Sequence, residues 1–372
     1  MGLFMLSAVA YGQGTSKYIT AYNYYRDGDY LRAKEYIDKA MEYEDAREKA
    51  KTWMTKGDIY SRLAYPKDGE DYGISPVEAA IIATESYTTA KGMDTRRIDE
   101  NRLNLNLSQY SNVVFSLGVS AYNERAYDLA LRCFTVTTKG KEAIGEIDSL
   151  AIYNMGLCNE NLERYSEAIA NYKGCIAIGY SSELCYQNIS YLQRLQGDDA
   201  AALATVNEGL LTHPGNRDLL TSKVNLLLAL NRHSEAIEYL NPLIAADPDN
   251  AILVYARGTC HNSEGSTNAA INDFKKAIEI EPDYFDAVYN LGAAYYNLGA
   301  DIVNEANDLS DPALYEAKKG EADEYFELAR VQLERAHELD ARNVAVMRSL
   351  LEIYARNNDM EKYKEMKARM DN

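Results

Sequence analysis

Four alanines, Ala168, Ala202, Ala236 and Ala270, follow one another at intervals of 34 residues, and Pro214, Pro248 and Pro282 repeat at the same interval. A fixed period of this size marks a chain built from stacked copies of one supersecondary unit, none of which buries its apolar face alone. The proline neighbourhoods read alike: His213-Pro214-Gly215-Asn216, Asp247-Pro248-Asp249-Asn250 and Glu281-Pro282-Asp283-Tyr284. In each, Pro stops one helix and a following Asp or Asn is placed to cap the next.

Walking outward from this core places helix pairs at 17–46, 51–91, 108–140, 149–179, 183–213, 217–247, 251–281, 285–340 and 344–371, about nine in all. Residues 13–140 form an irregular N-terminal set and residues 141–372 a regular array. Two pairs are interrupted. The first insertion, 65–76, holds Pro66, Gly69, Gly73 and Pro76, all turn formers. The second, 301–325, contains the turn Asp308-Leu309-Ser310-Asp311-Pro312 followed by a stretch to Glu338 that reads as one lengthened helix.

The residues at the repeated positions resemble the tetratricopeptide family, whose motif reads W-x2-L-G-x2-Y, then A-x3-F, then Pro. Val288, Leu291, Gly292 and Tyr295 follow its first half, as do Trp53, Gly57 and Tyr60, Leu117 with Gly118, Met155 with Gly156, and Gly258. Its second half recurs as Ala130 with Phe134, Ala168 with Tyr172, Ala270 with Phe274 and Ala277, and Ala33 with Ile37 and Ala40. The resemblance implies an all-α fold, a right-handed superhelical solenoid of antiparallel helix pairs. It also has a physical rationale. Two antiparallel helices approach closely only where the crossing carries Gly or Ala, since larger residues overpack at a cost of about 1–3 kcal/mol.

Composition narrows the function classes. With 39 basic against 57 acidic residues the formal charge is −18, which repels phosphate backbones and argues against a nucleic-acid partner. Tyr is abundant at 31, against 6 Phe and 1 Trp, a choice that suits faces half packed and half wet. The run Met1 to Ala10 is apolar and ends in Ala8-Val9-Ala10, so residues 1–12 are expected to be the remnant of a signal peptide on a protein exported to the periplasm or cell envelope, the alternative being a cytoplasmic chain. No later stretch approaches the roughly 18 apolar residues of a membrane span.

The five cysteines, Cys133, Cys158, Cys175, Cys185 and Cys260, form no C-x-x-C and read as small packing residues, with a disulfide open in an oxidising compartment. The four histidines, His213, His233, His261 and His337, are dispersed, so no metal is expected. No phosphate-binding glycine loop, nucleophile elbow or kinase set occurs. No cofactor and no enzymatic activity are expected.

What remains is binding. The resemblance implies a concave groove lined by the first helix of each pair, where family members hold extended peptides or partner helices. Carried onto this sequence, the groove positions are Tyr18, Tyr22 and Tyr25, then Phe115, Tyr122 and Asn123, then Tyr153 and Asn161. Gln187, Tyr191, Arg194, Asn225, Tyr255, Asn262, Tyr289, Tyr296 and Asn297 complete them. Amides hold a peptide backbone without reading its sequence, and Tyr supplies rigid amphipathic area at low entropic cost. The expected role is a protein-interaction scaffold binding an extended polypeptide. The alternative is a carbohydrate-binding or wall-associated protein, because Tyr faces also stack on sugar rings, and half of these tyrosines are expected merely to seal repeat interfaces.

Overall fold

The computed structural model describes residues 12–67 and 69–370, all of whose regular structure is helical. The signal-peptide expectation for residues 1–12 falls, apart from Gly12, outside the described residues. The chain forms two compact units divided between Pro214 and Gly215.

In the first unit, α1 (Gln13–Arg26) pairs with α2 (Tyr30–Ala40), followed by the single turn α3 (Glu44–Arg47). Four further pairs follow: α4 (Ala50–Leu63) with α5 (Pro76–Lys91), α6 (Glu100–Asn123) with α7 (Tyr127–Ala143), α8 (Ser149–Asn161) with α9 (Tyr165–Ala177), and α10 (Ser182–Leu195) with α11 (Asp199–Thr212). The second unit holds α12 (Arg217–Ala229) with α13 (His233–Ala246), α14 (Ala251–Ser263) with α15 (Thr267–Ile280), α16 (Phe285–Asn307) with α17 (Pro312–Leu339), and α18 (Val344–Arg356) with α19 (Met360–Met370). The nine expected pairs are all present.

Two boundaries differ from the sequence reading. The first pair closes at Ala40 rather than 46, and α3 stands apart because its buried Asp45 accepts hydrogen bonds from the Thr15 amide and hydroxyl at 2.9 and 2.7 Å. The third pair opens at Glu100 rather than 108. Asp99 caps α6 by accepting from the Arg102 amide, and the two extra turns bury Leu103 and Leu107 completely. In the segment 301–325, α16 continues to Asn307, the turn falls at 308–311 and α17 follows at Pro312, with Ile302, Ala322 and Phe326 forming an added layer of core.

One contact recurs at the helix crossings. A Cβ built on Gly156 would lie 2.6 Å from Tyr172 Cε1, one on Gly258 would lie 2.8 Å from Phe274 Cε1, and one on Gly118 would lie 2.9 Å from Phe134 Cε1. The ring of the second helix therefore packs directly against bare backbone of the first. The same two positions, stepped by 34 residues, hold Gly156 with Tyr172, Ser190 with Val206, Val224 with Leu240, and Gly258 with Phe274. A glycine at the first position faces a ring at the second, a side chain at the first faces an aliphatic residue, and all eight are buried. Where the first helix carries a side chain at the crossing, the ring of the second gives way to Val or Leu, since two large groups there would overpack. Beside them Ala168, Ala202, Ala236 and Ala270 are fully buried.

The turn inside each pair is equally regular. Glu163, Gly197, Asn231 and Gly265, again 34 apart, take φ of 58°, 79°, 55° and 75°. The amide of the next residue then donates back across the helix end, as in Arg164 to the Asn159 carbonyl at 2.8 Å and Ser266 to that of His261 at 2.8 Å. This is the Schellman termination, which satisfies carbonyls the helix end leaves open. Between pairs, Asn216 and Asn250 accept from the amides of Leu219 and Leu253 as the sequence implied. Tyr284 makes no such cap and packs its ring 5.0 Å from that of Tyr255 instead.

Two stability outcomes follow from these contacts. Gly156→Ser should cost about 1–3 kcal/mol through overpacking, and adding Tyr172→Val, which recreates the Ser190–Val206 pairing, should restore part of the loss. Urea unfolding of the single and double variants measures both. Glu163→Gly removes a Cβ from the left-handed region and should raise stability by about 0.5–1 kcal/mol, read as a higher urea midpoint.

Candidate functional site

The first helices carry every residue assigned to the groove, and their outward rows divide into two groups. In the first group the tyrosine hydroxyl is bound by an amide from the first helix of the next pair. Asn161 Nδ2 donates to the Tyr122 hydroxyl at 3.2 Å, Asn188 to Tyr153 at 3.4 Å and Asn290 to Tyr255 at 2.9 Å. The rings continue inward: Tyr153 lies 5.6 Å from Tyr172, and Tyr255 lies 5.8 Å from Phe274. Burial pushes all three phenols above their ordinary value, against the pull of the Asn side chains, so they remain neutral donors and acceptors. Tyr122, Tyr153, Asn161 and much of Tyr255 therefore join neighbouring repeats. Tyr296 lies edge-on to Phe326 of its own hairpin at 5.3 Å, and Arg194 is drawn to Asp199 at 3.3 Å.

The second group keeps an open face. Tyr22 and Tyr191 are exposed, as are Asn225 and the helix-end residues Asn123, Asn262 and Asn297. Tyr289 is half-buried and stacked on Phe285. The expected residues thus make no single continuous strip. In the second unit, however, α12 and α14 enclose a hollow of about 300 Å³ containing Asn225 and the ring of Tyr255.

Thr221, Leu228, Ile252 and Tyr284 also line it, and Ile252 is 56% exposed. The groove assignment omitted these four residues. Two were available from the repeat itself, since Thr221 stands 34 residues before Tyr255 and Leu228 stands 34 before Asn262. Ile252 and Tyr284 reach the hollow through side-chain direction, for which the period has no signal. The arrangement offers an apolar floor with an amide and threonine hydroxyls at its edge, a chemistry of binding rather than bond-making.

Among the described residues no three His, Cys, Asp or Glu side chains are grouped to hold a metal ion, and no helix is long and apolar enough to cross a membrane. All five cysteines are buried and unpaired, and burial pushes the thiols of Cys133 and Cys260 up to about 11 and that of Cys158 to about 12.

Comparison with known proteins agrees with this geometry. A tetratricopeptide repeat model matches residues 150–178, which span α8 and α9, and a second TPR repeat model matches residues 261–299. BBSome complex member BBS4 of Bos taurus is 23% identical over 175 residues, covering 46% of this chain and 30% of that protein. An uncharacterized protein of Sinorhizobium fredii is 31% identical over 90 residues, 24% of this chain and 49% of its own length. The chain thus spans between about a third and a half of the curated relatives it matches.

Among solved structures, the C-terminal part of a TPR repeat-containing protein from Cytophaga hutchinsonii is 14% identical with a TM-score of 0.49, covering 69% of this chain and 93% of that one. A TPR repeats protein from Bacteroides fragilis is 23% identical with a TM-score of 0.33, covering 66% and 98%. With small residues at the crossings, bulky partners laid on them and two family models falling on these helices, the chain is a tetratricopeptide repeat protein.

Proposed function

We propose that this protein is a non-catalytic scaffold that holds an extended polypeptide along the first-helix face of its second unit, with the α12–α14 hollow as the principal subsite. Tetratricopeptide repeats support a protein-interaction role in general. The observation that carries the finer reading is the hollow itself. Its apolar lining takes one aliphatic or aromatic side chain, and Asn225 at its rim presents both a donor and an acceptor to a peptide backbone. The Tyr–Asn bonds of the flanking repeats hold the first helices in place, which lowers the ordering cost of binding. Membership of a complex, which the bovine relative has by its name, is a role of the same kind.

Selection of peptides from a random display library on the wild-type protein tests this directly. Selected peptides should lose about tenfold or more in affinity for the variant Asn225→Ala/Ile252→Asp, both changes being at exposed positions, while the helical circular dichroism stays unchanged. Peptides that bind the variant as tightly as the wild type would overturn the assignment. Retention of glycans in place of any peptide would favour a carbohydrate-binding role for the same face.

A further inference from the structure

The first unit carries a different surface, on which the sign of the charge is reversed. A hollow of about 550 Å³ lies where the start of α4 meets the segment after α5, lined by Glu48, Lys49, Lys51, Asp94, Arg96 and Arg97. Four cations converge there in a chain whose formal charge is −18. Their partners are accounted for one by one. Arg96 is committed to Asp94, with Nη2–Oδ2 at 2.6 Å and Nε–Oδ1 at 2.8 Å, and these bonds hold the Asp94 carboxyl down to about 2. Lys49 Nζ donates to the Thr15 hydroxyl at 2.8 Å, which in turn donates to the Asp45 carboxylate at 2.7 Å. Lys51 Nζ stands 6.0 Å from the ring centres of Tyr18 and Tyr22.

Among the described residues, none of Lys49, Lys51 and Arg97 lies within 4.0 Å of a carboxylate oxygen, although the chain has acid in excess. A larger hollow of about 670 Å³ between α5 and α7 shows the contrast: its Arg132 and Arg164 are bound to Glu78 and Asp128 at 2.6 and 2.9 Å. Cations grouped beyond ion-pair distance of the neighbouring carboxylates repel one another, and an anionic ligand that enters relieves the repulsion. At physiological ionic strength fields fade over about 8 Å, so an approaching anion meets the local positive sign rather than the distant negative total.

We propose that this hollow docks an acidic peptide segment, with Lys49, Lys51 and Arg97 receiving its Asp and Glu carboxylates. The volume exceeds that of one small ion and matches two or three neighbouring side chains, and the exposed ring of Tyr22, beside Lys51, provides an apolar border for the peptide chain. The assignment is independent of the α12–α14 hollow. Failure of either leaves the other standing.

Fluorescence anisotropy with a labelled peptide carrying about six Asp and Glu residues, against its Asn and Gln counterpart, provides the test. The acidic peptide should bind about tenfold more tightly than the amide one and weaken several-fold between about 50 and 300 mM NaCl. Lys51→Glu/Arg97→Glu should abolish that preference. Arg97→Ser alone, at an exposed position, should reduce it about threefold with helical content unchanged, so the result does not depend on the double variant folding. Equal binding of the two peptides, an unaltered preference in Arg97→Ser, or binding of inorganic phosphate with no preference between peptides would each overturn the proposal.

Discussion

The approach of two helices over a residue that lacks volume is the interaction on which the rest of this molecule depends. At Gly156, Gly258 and Gly118 the ring of the second helix occupies the space a Cβ would need. Because interiors are packed to crystal-like density, space conceded by one helix is filled by the other. In the same register, Ser190 with Val206 and Val224 with Leu240 place a side chain on the first helix and an aliphatic residue where the ring would lie. A repeat that lacks both the glycine and the ring still closes its crossing with buried side chains, and the regular pairs continue through the least motif-like part of the chain.

The same packing determines which polar groups are left for function. A ring drawn inward across the crossing brings a hydroxyl with it, and that hydroxyl needs a partner. Tyr172 reaches Glu160 at 2.9 Å, Tyr87 reaches Asp58 at 3.0 Å, and the outer tyrosines Tyr122, Tyr153 and Tyr255 are met by Asn side chains of the next first helix. An unsatisfied buried hydroxyl costs about 1–3 kcal/mol, so structure takes the inner tyrosines first. Binding has what remains: exposed Tyr22 and Tyr191, the free amide of Asn225, and two hollows of opposite character, one apolar and one cationic.

The longer departures from the period are helical for a related reason. The residues between Gly299 and Phe326 lengthen a hairpin because Gly299 makes a second crossing, with a built Cβ 3.1 Å from the Phe326 ring. Between α4 and α5, Pro66, Gly69 and Gly73 favour turns over helix.

The period, together with the recurring motif residues outside it, determined the fold class, the number of helix pairs and most of their ends, because small residues, capping residues and prolines return each time the hairpin returns. The α4–α5 pair at 50–91 and the α8–α9 pair at 149–177 were legible almost to the residue. The sequence also supplied the chemistry of the first-helix face, rich in Tyr and Asn. It did not divide that chemistry into residues that join repeats and residues that face outward, since Tyr153 and Tyr191 are the same amino acid on first helices and differ only in what packs beside them. Nor did it show that Lys49, Lys51 and Arg97, nearly fifty positions apart at the extremes, face one hollow. Periodicity encodes the spacing along one helix hairpin; the pairing of side chains across neighbouring hairpins depends on direction and distance, and those exist only once the hairpins are stacked.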